Sequence, residues 1–325
     1  MINFQPVRAR ALLAIVPFLA LTACGSSDSA DNPDADSPQI VVTYSILGSI
    51  VSEVVGSAAR VTVLMPNGAD PHEWEPSAQD IELLNDADLI VSNGLDLEGN
   101  ILGPIEEAEK AGVRVFHATD HVEVIEFNES THHDEDEEGH EDEGGDEEGH
   151  EDEGGHEGGD PHFWTSPIAM ADVALALEET LEGLGIDTEG RGAMISEKLL
   201  SLDQEIQKVL AEIAPESRIL VTGHESLGYF ADQYDFEIVG TIIPSLSSEA
   251  EASAGDLAEL KEIIEEEGVS VVFTELGTSP EVAAALASDA GVELVELSTH
   301  FLPEDGSYST FVRELASTIS QALAP

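Results

Sequence analysis

Three histidines stand in settings that could bring an imidazole to a metal ion. His72 lies in Asp70-Pro71-His72-Glu73-Trp74, His162 in Asp160-Pro161-His162-Phe163-Trp164, and His224 in Thr222-Gly223-His224-Glu225-Ser226. Two copies of Asp-Pro-His-x-Trp are a poor match to chance. Proline fixes the turn before each histidine and lowers the entropy lost on arranging a site. Neutral imidazole is a strong ligand for Zn²⁺, at roughly 2.0–2.1 Å in tetrahedral geometry. Mn²⁺ prefers more oxygen ligands and lies lower in the affinity order. Binding of this kind weakens as histidines protonate near pH ~6.5.

A second set of histidines has a different character. Thr131 to Gly159 is built almost entirely of Asp, Glu, Gly and His, and carries His132, His133, His140, His150 and His156. Such a segment cannot bury a core and is expected to be an exposed loop. Imidazoles spaced through carboxylates suit weak, multi-site metal collection. The plainer alternative is an acidic solubilising insert.

The elements that must position His72, His162 and His224 are short and alternate in type. Ile40–Thr43, Val61–Leu64, Leu89–Val91 and Val113–Phe116 read as strands, and a later group comprises Ile219–Val221, Glu237–Val239, Val269–Phe273 and Val292–Val295. Helical patterns separate them, so the fold class is α/β, with two α/β lobes built on mainly parallel sheets. His72 follows the second strand, with Ser77 and Asp80 forming a capping box for the next helix. His162 precedes Ser166-Pro167, a helix start with a cap oxygen and a proline at the first helical position. His224 follows the strand Ile219 to Val221. All three therefore sit on loops of the kind that gather binding residues. Ile195, Leu199, Leu202, Ile206, Val209 and Ile213 make one helical stripe. That helix is expected over 188–214, roughly 40 Å long, either linking the lobes or pairing with its predecessor on one of them. The expected divisions are 1–23, 24–38, 39–187, the linking helix 188–214, and 215–325.

Residues 1–23 read as a secretory signal. Arg8 and Arg10 precede an apolar run from Ala11 to Leu21, shorter than the roughly 20 residues of a membrane span. Leu21-Thr22-Ala23-Cys24 resembles a lipobox, which implies cleavage before Cys24 and acylation of its thiol. Cys24 is the only cysteine, so intramolecular disulfides and thiolate metal sites are excluded. Residues 24–38 read as a disordered tether. The formal net charge is −57, and the segment 132–160 holds 16 of the 68 acids, so the acidity extends along the chain. Such a surface repels nucleic-acid phosphates.

Together these residues resemble the zinc- and manganese-binding solute-binding lipoproteins of bacterial ABC importers. The resemblance is carried by the lipobox, Asp-Pro-His72-Glu-Trp-Glu-Pro-Ser, the His-rich acidic loop, Asp-Pro-His162-Phe-Trp, Gly-His224-Glu-Ser-Leu-Gly-Tyr-Phe and Phe273-Thr274-Glu275, in the family's order. It implies two α/β lobes linked by a long helix, with one metal in the cleft between them, held by His72 and His162 from the first lobe and His224 from the second. It also implies an extracytoplasmic binding protein, anchored through lipidated Cys24, that passes zinc to a permease and its ATPase. A monomer is expected. In this family a His at the third position and a His-rich loop go with zinc. A manganese-binding homologue and a metal-dependent surface adhesin are the alternatives.

One stretch departs from the family pattern. Many members carry Asp directly after the last strand of the second lobe; here Ser298 stands there, followed by His300. Either His300 is the fourth ligand, or Glu275 or a water completes the site. Glu275 could equally be a carboxylate that orients a histidine ring. An enzyme is disfavoured. No His-Glu-x-x-His motif is present, and Ser226 lacks the glycine two residues earlier that a nucleophile elbow requires.

Overall fold

The computed structural model describes residues 37–126 and 159–324. Cys24 and the histidines at 132, 133, 140, 150 and 156 lie outside them.

The first group of elements is β1 (Gln39–Val42), α1 (Ser45–Val55), β2 (Arg60–Val63), α2 (Ala78–Asn85), β3 (Leu89–Ser92), α3 (Leu102–Ala111) and β4 (Arg114–His117). Its strands form one parallel sheet in the order β2-β1-β3-β4. The two central strands show why the sequence adopts this arrangement. Ile40, Val41, Val42, Leu89, Ile90 and Val91 are all 0% exposed. A strand without polar alternation must be covered on both faces, which parallel crossovers through helices achieve.

Next come α4 (Pro167–Gly183) and α5 (Arg191–Leu210), and then β5 (Ile219–Thr222), α6 (Gly228–Tyr234), β6 (Glu237–Thr241), α7 (Ala254–Glu266), β7 (Val271–Thr274), α8 (Pro280–Ala290), β8 (Glu293–Glu296) and α9 (Tyr308–Leu323). The second group of strands forms two parallel pairs, β5-β6 and β7-β8, with β5 lying against β7. The resulting order, β6-β5-β7-β8, repeats that of the first sheet. All eight expected strands are present, within two residues at each end.

The long helix is shorter than expected. α5 begins at Arg191, after Gly190 in the left-handed region (φ 76°), and ends at Leu210, which makes it roughly 30 Å long. Thr188 is not helical; its hydroxyl donates to Glu178 Oε1 at 2.5 Å and pins the turn between α4 and α5. Its stripe also differs. Val209 is 38% exposed and Leu210 faces inward, because spacings of 3, 4 and 4 from Leu199 through Leu202 and Ile206 lead to 210. α5 pairs with α4 and also touches α1 and α9. Leu199, Leu202 and Ile206 thereby join Met170, Val173 and Leu177 of α4 and Phe311, Leu315 and Ile319 of α9 in one continuous core. A smaller core, with Val221, Leu260, Ile264, Val272 and Leu286, lies under α7 and α8.

Candidate metal centre

His72, His162, His224 and His300 each follow or border a loop at the C-terminal ends of strands, and the fold gathers them. One nitrogen from each lies within 4.8 Å of those of the others, and all four residues are buried. Ring centroids are 5.2–6.0 Å apart over all six pairs.

The two Asp-Pro-His motifs work alike. Asp70 Oδ1 accepts the backbone N–H of His72 at 3.0 Å, and Asp160 Oδ1 accepts that of His162 at 2.8 Å. Each aspartate thus closes a turn over the proline and aims the histidine two residues on. The helix start beyond each motif fixes its far end. Ser77 and Asp80 form a capping box on α2. Ser166 caps α4, accepting from the Ala169 N–H. Asp160 has a second role that the sequence motif does not by itself assign. Its Oδ1 also lies 2.8 Å from His162 Nδ1, so Nδ1–H donates to the carboxylate and Nε2 is left to bind a cation. The signal for it is the aspartate's fixed place two residues before the histidine.

His224 sits just beyond the end of β5, where the backbone runs tightly past side chains of the loop that follows β7. A β-carbon on Gly223 would stand 2.2 Å from Thr278 Oγ1 and 2.8 Å from Glu275 Cγ, so only glycine fits. Glu275, 5% exposed, lies behind the histidines. Its Oε1 accepts the His224 backbone N–H at 3.1 Å, and its Oε2 accepts the hydroxyls of Ser226, at 2.6 Å, and of Thr299. Ser226, the apparent elbow serine, is therefore fully buried as a donor to Glu275. Thr299 Oγ1 also lies 2.8 Å from His300 Nδ1, which leaves Nε2 of that ring facing the cluster. Ser298 bonds the Phe301 carbonyl instead and takes no part.

The donor set fits a tetrahedral cation. His72 Nε2 and His162 Nε2 are 3.2 Å apart, close to the roughly 3.3–3.4 Å edge of a tetrahedron with bonds of about 2.0–2.1 Å. Nε2 of His224 and Nε2 of His300 are buried with no hydrogen-bond partner. Buried orphan nitrogens are destabilising unless something binds them.

Charge is arranged to match. Burial, reinforced by a cationic His224, lowers His72 to about 4. Burial and the same neighbour hold His162 and His300 well below the ordinary imidazole value. His224 goes the other way: burial opposes its charge, but the carboxylates of Glu275, Asp70 and Asp160 together outweigh burial and raise it. His224 Nδ1 lies 3.1 Å from Glu275 Oε1, off the line of a hydrogen bond, so this coupling is chiefly coulombic. Glu275 itself would be raised by burial, but His224 and its other donors hold it below the usual carboxylate range. Burial pushes Asp160 up to about 7.

The fold and this cluster define a two-lobed α/β binding protein with a candidate cation site where the two lobes meet. A family model described as "Zinc-uptake complex component A periplasmic" matches residues 40–322, and the chain belongs to that family. The zinc-binding lipoprotein AdcA of Streptococcus pneumoniae is 30% identical over 87% of this chain; the chain spans 53% of that relative's length. The high-affinity zinc uptake system protein ZnuA of Bacillus subtilis is 30% identical, over 87% of this chain and 85% of its own. The manganese-binding lipoprotein MntA of Halalkalibacterium halodurans is 26% identical over 90% of each. Among solved structures, the periplasmic zinc-binding protein TroA of Treponema pallidum superposes with a TM-score of 0.70 at 24% identity, covering 89% of this chain and 100% of its own.

Proposed function

We propose that this chain is the extracytoplasmic binding component of an ABC metal importer, capturing Zn²⁺ as cargo on His72, His162, His224 and His300. The observation that carries this reading is a set of four buried imidazoles whose free nitrogens converge within 4.8 Å, two of them without any other partner. In this reading Glu275 is not a ligand. Its two oxygens are taken up by His224, Ser226 and Thr299, and it acts as the buried counter-charge behind the cation. A nitrogen-only donor set favours Zn²⁺ over Mn²⁺. The manganese-binding name of one relative keeps that metal as the competing cargo. Delivery would be to a membrane permease and its ATPase, with acylated Cys24 keeping the protein at the membrane, and the histidines at 132, 133, 140, 150 and 156 collecting metal weakly. Family membership supports transport rather than catalysis.

The test is metal analysis of protein purified without added metal, with competition between zinc and manganese. One equivalent of zinc that excess manganese does not displace is the expected result. Displacement by equimolar manganese would overturn the cargo assignment.

A further inference from the structure

Trp164 is fully buried, yet its side chain does more than fill space. Its indole Nε1–H donates to the backbone carbonyl of Thr299 at 2.8 Å, spanning from the turn of His162 to the residue that immediately precedes His300. The ring stands 5.1 Å from the His162 ring and 5.5 Å from the His300 ring. The indole is itself immobilised. Tyr44 packs on it with centroids 5.2 Å apart, and the Tyr308 hydroxyl donates to the Trp164 carbonyl at 2.8 Å. Further along the same loop, Asn67 clamps Leu302, accepting its N–H and donating to its carbonyl, each at 2.8 Å. The loop after β8 is therefore held by Asn67 and Trp164, both from before α4, and Trp164 is the one beside the histidine.

We propose that Trp164 is a positioning residue that sets the separation between His162 and His300, and so makes His300 a fourth ligand rather than a bystander. This rests on the reading of the four histidines as a cation site. A buried indole N–H needs an acceptor, and here the acceptor belongs to the loop that carries one ligand. Without that bond the Thr299 carbonyl is orphaned, and the segment from Thr299 to His300 can shift between its remaining anchors at Glu275 and Asn67. His300 then leaves the coordination sphere and water takes its place. Groups of this kind, one bond removed from the metal, typically change affinity by about 10–100-fold.

The experiment compares the full chain with Trp164→Phe, His300→Ala, the double variant and His72→Ala, using zinc competition with a chelator and the visible spectrum of the Co²⁺-loaded protein. In the wild type Co²⁺ is expected to give the intense bands of a tetrahedral site. Trp164→Phe is expected to weaken zinc binding by roughly tenfold or more, and to give the weaker bands of a water-containing site, as His300→Ala does. The double variant is expected to lose no more than His300→Ala alone. A wild-type spectrum and affinity in Trp164→Phe, or losses that multiply in the double variant, would overturn the proposal. Should Trp164→Phe fail to fold, benzothienylalanine at position 164 keeps the ring shape and removes only the N–H, and the same outcomes decide. Failure of the underlying cation-site reading has a separate signature: no tetrahedral Co²⁺ spectrum in the wild type and no effect of His72→Ala.

Discussion

At the scale of single residues, the cluster combines two opposite ways of handling protons. His72, His162 and His300 are held low by burial and by His224, whereas the carboxylates of Glu275, Asp70 and Asp160 raise His224 and favour its cationic form. In the proposed site His224 is therefore the ring with a proton to release near pH 6, and Asp160, at about 7, can lose a second. A histidine whose value is already lowered carries no proton to release at pH 6, so it adds nothing to the pH dependence of binding there. Between pH 5 and 6.5 the logarithm of zinc affinity is expected to fall by about one to two units for each unit by which the pH is lowered. Four ordinary imidazoles would give a slope approaching four below their shared value of ~6.5. Glu275→Gln removes the foremost of the carboxylates that raise His224, and is expected to reduce the proton release by about one. Calorimetry in buffers of different ionisation enthalpy measures that release directly. An unchanged release in Glu275→Gln would sink this account of His224.

Individual residues also show what a sequence can and cannot disclose. His72 and His162 are legible because Asp-Pro-His is a local device: the aspartate, the turn and the histidine are contiguous, and the structure uses them together. His300 stays open between alternatives in the sequence because nothing adjacent to it announces a ligand. Its placement depends on Thr299, Trp164 and Glu275, which lie up to 136 positions away and meet only after folding. Glu275 cannot be separated from a ligand by sequence for the same reason: the donors that occupy its oxygens come from His224 and Ser226 on one side and Thr299 on the other, all more than 20 positions away.

At the scale of elements, all four histidines border loops at the same ends of parallel strands, where open α/β sheets present binding residues. The repeated strand order puts β1 beside β3 and β5 against β7, so His224 and Glu275 emerge from the ends of neighbouring strands. This closeness requires Gly223. Gly223→Ala is expected to displace Glu275 or Thr278, destabilising the protein by about 1–3 kcal/mol as overpacking does. Its effect on zinc affinity is expected to exceed that of Ser77→Ala, which removes the N-cap of α2 at about 1 kcal/mol. Thermal unfolding and zinc titration of the two variants provide the comparison, and equal zinc affinities would contradict it. Strand existence is legible from unbroken runs such as Ile40-Val41-Val42. The extent of α5 is not, because its apolar stripe runs on to the buried Ile213 beyond the helix end at Leu210, and because a turn bond from Thr188 to Glu178 keeps Thr188 out of the helix.

At the scale of the whole molecule, 68 acids face 11 Lys and Arg. Few carboxylates can find a cationic partner, and the compact state works against its own repulsion. Raising the salt concentration from roughly 0.05 M to 1 M shortens the screening length to about 3 Å, and is expected to raise the melting temperature of the metal-free protein. A flat or falling curve would show that repulsion is unimportant. The acidic histidine segment is a separate matter at this scale. Deleting 132–156 is expected to preserve one tight zinc equivalent and remove the weak ones, as read by titration calorimetry. Loss of the tight equivalent would assign part of the main site to that segment.

The central claim is that four imidazoles, and no carboxylate, surround the cargo. X-ray absorption at the zinc edge of the loaded protein addresses it most directly. The account predicts about four nitrogen scatterers near 2.0 Å with strong imidazole multiple scattering. A shell with fewer than three imidazoles, or with carboxylate oxygen in place of His300, would contradict it.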